Sequence, residues 1–160
     1  MNAPTNGEMT MEATNSVLAA STLEVPRPRA VARYAATGSR VLLGLVFFTF
    51  GLDGFLHFVP QPDPSTMPAG SMALAGAFMA SGYMFPLIKG TEVVVGALLL
   101  ANRFVPLALV LLAPVLVNIV LFHAFLAPSG VGMGIVLVAL QLFLAWTHRR
   151  AYRPLLTARA

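Results

Sequence analysis

The sequence predicts an all-α integral membrane protein, a four-helix bundle with a short outer-face helix between its first two spans. Three observations carry this expectation. Hydrophobic residues make up 58% of the chain and mean hydropathy is +0.80, well above the roughly half-apolar composition of soluble domains. Between Val41 and Thr147 the only formal charges are Asp53, Asp63, Lys89, Glu92 and Arg103, so the polar coat of a water-soluble fold is missing. The net charge of +4 comes from arginines grouped at the ends of apolar stretches. That distribution orients a chain in a bilayer and does not build a basic face for nucleic acid.

Residues 1–38 read as a disordered cytoplasmic tail, because Pro4, Gly7, Pro26, Pro28 and Gly38 interrupt a polar stretch with no sustained apolar run. A signal peptide is not expected, since no basic segment followed by an apolar core stands near Met1. Residues 39–150 form the membrane domain and residues 151–160 a cytoplasmic C-terminal tail.

Within the domain, spans are expected at 40–60, 83–101, 104–127 and 131–147, each near the roughly 20 apolar residues that cross a hydrocarbon core. Arg27, Arg29, Arg33 and Arg40 precede the first span, Arg103 sits in the turn between the second and third, and Arg149, Arg150, Arg153 and Arg159 follow the last. Four crossings of the plasma membrane with both termini inside put all of these on the cytoplasmic side. Pro60, Pro62, Pro64 and Pro68 impose an irregular start on the connection after the first span. A fifth crossing would break the charge rule, so 69–82 is expected as a helix at the outer face. Pro114 is expected to kink the third span, and Trp146 and Tyr152 stand where the last one leaves the bilayer.

Inside this apolar frame, polar side chains gather at one depth. Counting ~1.5 Å per residue from the cytoplasmic ends puts Asp53, Lys89 and Asn118 about 20 Å up and Glu92 slightly lower, with His57 and His123 about a turn further out. Asp53 and His57 are about 40° apart on a helix and share a face, whereas Asn118 and His123 are about 140° apart and cannot both aim at one centre. Charge in hydrocarbon is expensive, so Lys89 is expected to pair with Glu92 or Asp53. These six residues form the candidate ligand pocket. Gly44, Gly51, Gly90 and Gly96 are read as close-packing positions, and Gln141 as a packing hydrogen bond.

The chain resembles the DoxX family of small four-helix membrane proteins from about Arg40 to Leu155. The likeness lies in RVLLGLVFFTFGLDGFLHFVP, in GYMFPLIKGTEVVVGALLLANRFVPLAL, and in APVLVNIVLFHAFLAP. Its most specific parts are the Lys89-Gly90-Thr91-Glu92 run followed by Gly96, and Asn118-Ile119 followed by Phe122-His123. Similar sequences commonly carry Asn at the place of Asp53, which points away from chemistry needing a carboxylate there. The resemblance implies the fold and a membrane location, and for some members a link to quinone-dependent oxidation or to oxidative-stress membrane complexes.

Two classes of function follow. One is a quinone-binding subunit, in which Lys89, Glu92, His57 and His123 serve a headgroup and a partner oxidoreductase subunit supplies electrons, because the chain carries no flavin, nicotinamide or iron-sulfur motif. The other is a non-enzymatic membrane factor that stabilises a partner or holds a small apolar ligand. A metal or haem site on His57, His123 and Glu92 is disfavoured by the lack of a short ligand motif. The absence of cysteine removes disulfides, thiolate metal sites and iron-sulfur clusters.

Overall fold

The computed structural model describes residues 28–60 and 63–156. Regular structure among them is helical throughout. In chain order the helices are α1 (Pro28–Leu56), α2 (Ala69–Ala80), α3 (Met84–Leu100), α4 (Val105–Phe125), α5 (Val131–Thr147) and α6 (Arg149–Tyr152), with short 3-10 turns at Pro64–Thr66, Pro128–Gly130 and Arg153–Leu156. The chain divides into compact units of residues 1–34 and 35–160; the described part of the first is the opening of α1, and the site lies wholly in the second.

Three helices are long and apolar enough to cross a membrane: Ala30–Leu56, Val105–Phe125 and Pro128–Thr147. A fourth crossing is counted when α2 and α3 are taken together across a break that bends the chain by 92°. The break falls at Ser81, Gly82 and Tyr83, where Gly82 takes a φ of +75°, a backbone region that glycine enters without a Cβ penalty.

Boundaries of the first helix differ from those expected. It begins at Pro28, so residues 28–38 are helical rather than tail. Proline is well placed in a first turn, where its missing N–H has no helical partner to lose, and Ala30, Ala32, Ala35 and Ala36 favour the helix. Residues 1–27 of the expected tail, and 157–160 at the other end, lie outside the described residues. The helix also stops at Leu56 instead of running to 60. The turn between α3 and α4 is tight because Asn102 and Phe104 both adopt left-handed φ, 54° and 50°. Helix α4 then runs through Pro114 as one continuous element.

Large apolar side chains from four helices meet in the middle: Leu43 and Phe47 of α1, Val95 and Leu99 of α3, Leu109, Leu112 and Leu116 of α4, and Leu137 and Leu144 of α5. Their opposite faces carry exposed Leu107, Val117, Leu121, Phe125, Ile135, Val136 and Leu142. Lipid tails are as apolar as leucine, so association of such helices rests on close packing and interhelical hydrogen bonds.

Glycines supply the first. Gly96 of α3 lies against the backbone of Phe48, and a Cβ there would stand 2.7 Å from Phe48 Cα. One at Gly51 would stand 2.8 Å from the backbone nitrogen of Val93. Gly44 likewise meets Leu100, so α1 and α3 run antiparallel at near backbone contact. Gly90 does not share this role, since a Cβ there would find open space.

Polar ties supply the second. The Arg40 guanidinium donates to the carbonyl of Leu99 and, at 3.3 Å, to that of Leu100, satisfying the negative C-terminal end of α3. Gln141 Nε2 donates to the Leu109 carbonyl at 3.2 Å, the packing bond expected of it. Its Oε1 is buried without a hydrogen-bond partner among the described residues. After α5, Arg149 stacks 5.1 Å over Trp146, and the Tyr152 hydroxyl donates to Pro106 at 3.1 Å. Burial there pushes the phenol above its ordinary pKa.

Candidate functional site

The site begins where α1 ends. Asp53 does two things at once: its carbonyl accepts the N–H of His57 at 2.8 Å, and its carboxylate accepts the N–H of Val59 at 2.7 Å. His57 takes a φ of 52°. This is the αL helix stop, with His57 in the place where glycine is usual and where histidine is one of the better-tolerated alternatives. Asp53 is 7% exposed, so the acceptor that turns the chain out of the helix is itself packed away. His57 therefore does not share a helical face with Asp53; it stands past the end of the helix, exposed.

Opposite this corner lies the first half of α3. Lys89 Nζ donates to Glu92 Oε2 at 2.9 Å and to the carbonyl of Phe50 at 3.3 Å. Of the two pairings expected for Lys89, the one with Glu92 is formed within one turn of α3, and its cation also reaches across to α1. Its route passes over Gly54, where a Cβ would stand 2.5 Å from Lys89 Cγ. Gly54 makes room for the lysine. The lysine side chain is 23% exposed and the glutamate 6%, so Glu92 is the buried counter-charge and Lys89 the member that faces outward.

It faces a cavity of about 600 Å³ bounded by the end of α1, the chain that follows it, α2 and the start of α3. Asp53, His57 and Lys89 line it together with Phe50, Gly54, Val59, Pro60, Met67, Met72, Ala75, Met79 and Phe85. The volume falls within the roughly 300–1,000 Å³ typical of small-molecule sites, and a mostly apolar wall with a few polar groups is typical of their lining. An ammonium has three donors. Two are engaged among the described residues, which leaves one N–H for a ligand.

Four of the six expected residues therefore come together, three on the wall and Glu92 behind Lys89. The other two are elsewhere. Asn118 is exposed and lines a separate groove with Thr91 and Pro114, between α3 and α4. His123 closes the turn into α5: its Nδ1 lies 3.1 Å from the Ala127 carbonyl, its ring meets Phe122 edge-on, and it covers Gly130, where a Cβ would collide with the imidazole. A similar count of rise along the helices does not imply a shared azimuth, and among the described residues His57, His123 and Glu92 do not converge on a metal site.

Several wall residues carried no chemical signal in the sequence. Met72 and Met79 are seven apart, hence on one face of α2, and that spacing was the available hint. Gly54 offered only its position next to Asp53. Compared with family profiles, curated proteins and solved structures, the chain returns no match.

Proposed function

We propose that the chain is a DoxX-type protein crossing the plasma membrane four times with both termini cytoplasmic, and that its cavity binds the headgroup of a quinone as a subunit of an oxidation system. The observation that carries this reading is the approach of Lys89, His57 and Asp53 to one apolar-walled cavity of about 600 Å³. A four-helix bundle follows if α3 crosses as the fourth span, and the 92° bend between α2 and α3 favours α2 lying along the outer face as a roof.

In this arrangement the remaining Lys89 N–H donates to a quinone carbonyl oxygen, with Glu92 holding the ammonium in place. Met67, Met72, Met79 and Phe85 give an adaptable apolar slot for the ring substituents, as flexible thioether side chains do. His57, at the exposed mouth, is the group best placed to exchange protons with water. Electrons come from a partner subunit.

A second reading, a non-enzymatic factor, is favoured by the bond from Lys89 to Phe50, which makes the charged cluster a clamp between α1 and α3. Glu92→Gln separates the two. For a quinone site, a short-chain quinone is expected to raise the melting temperature of the purified protein saturably, and the variant to stay folded in the membrane with that response reduced. Loss of the variant from the membrane, or a wild-type protein indifferent to quinone, would support the clamp alone.

A further inference from the structure

Asn118 is one of the two expected residues that lie away from the cavity. The exposed face of α4, which also carries Val110, Val117 and Ala124, includes a line of Leu107, Leu111, Pro114, Asn118, Leu121 and Phe125 at spacings of 4, 3, 4, 3 and 4. Such a line has the 3.5-residue spacing that a helix seam uses when it packs lengthwise against a partner helix. Five of the six are apolar. Asn118, thirteen residues into the helix and so about 20 Å from its start, is the exception, and its carboxamide has no hydrogen-bond partner among the described residues.

Beside the seam runs the concave surface between α3 and α4. It holds two adjoining hollows of about 350 and 300 Å³ that share Leu87, Thr91 and Leu111. Gly90 borders it with open space over its Cα, which lets another backbone come close.

We propose that this face is the contact between two copies of the chain, related by a two-fold axis along the membrane normal. Two copies in one bilayer share an orientation, so their α4 helices run parallel and each seam residue meets its own counterpart. Asn118 then faces Asn118 at the same depth. A carboxamide carries both donors and an acceptor, so it is its own complement, whereas an acyl chain in the groove would leave it unsatisfied in hydrocarbon. A single asparagine in an apolar seam also fixes register and partner number. The inference rests on the chain spanning a bilayer and not on the identity of any ligand.

The natural chain has no cysteine, so single-cysteine variants report contacts without background. Purified Leu111→Cys and Leu121→Cys, at low protein-to-lipid ratio in liposomes, are expected to form disulfide-linked dimers under mild oxidation. Val136→Cys, on the exposed face of α5, is the control and is expected to remain monomeric. Energy transfer between labelled wild-type copies should show a dimer fraction that Asn118→Leu lowers about threefold or more, the scale of one interhelical hydrogen bond in lipid. Cross-linking at 111 and 121 no greater than at 136 overturns the proposal, as does a dimer fraction indifferent to Asn118→Leu. The cysteine variants keep Asn118, so they decide the matter even if Asn118→Leu fails to fold.

Discussion

Asp53 shows how a buried carboxylate in a membrane span can owe its place to the backbone. Its oxygen takes the Val59 N–H at 2.7 Å, and an amide oxygen can do the same. Asp53→Asn is therefore expected to keep thermal stability within about 1 kcal/mol, while Asp53→Ala, which removes that acceptor, loses about 1–3 kcal/mol; denaturation curves in detergent measure both. His57 is the contrasting case. Its φ of 52° suits glycine better, so His57→Gly should be neutral or stabilising by up to about 1 kcal/mol. If the imidazole serves the cavity, the same variant weakens quinone binding, and that separation of stability from binding is what a purely structural histidine would not show. Rise along each helix was legible in the sequence, since it is fixed per residue. The end of α1 at Leu56 was not, because it depends on one carboxylate reaching six residues ahead.

Among the elements, the pairing of α1 with α3 sets the site. Gly96 against Phe48 and Gly51 against Val93 bring the backbones close enough for Lys89 to cross over Gly54 and reach Phe50. Gly96→Leu is expected to force these helices apart at a loss of at least about 1–3 kcal/mol and to abolish ligand binding with it. Gly90→Leu, at a position with open space, should leave both unchanged in a protein held monomeric in detergent, and melting curves of the two variants side by side check the contrast. The glycines at 44, 51 and 96 were recognisable beforehand as packing positions, and Gly90 was grouped with them. Spacing marks small residues without saying which face meets a neighbour. For the same reason Asn118 and His123 were expected at the pocket: azimuth depends on how four helices rotate against one another, which periodicity in a uniformly apolar helix does not reveal.

For the molecule as a whole, the helical architecture of the described residues, with three or four apolar helices of spanning length among them, was plain from composition and from segments of about 20 residues. Placement in the bilayer has a direct test in the cysteine-free chain. With four crossings, Ser65→Cys and Ser129→Cys are expected to react with a membrane-impermeant maleimide from the outside and Asn102→Cys only after the membrane is opened. Labelling of positions 65 and 102 from the same side would mean that α3 does not cross. If Lys89 and its neighbours hold a quinone headgroup, the protein carries quinone with it when it leaves the membrane. Native mass spectrometry of protein released gently from quinone-containing bilayers is expected to find quinone bound to the wild type and lost in Lys89→Met with the fold intact. Equal retention by the folded Lys89→Met variant, or none by the wild type, would contradict it.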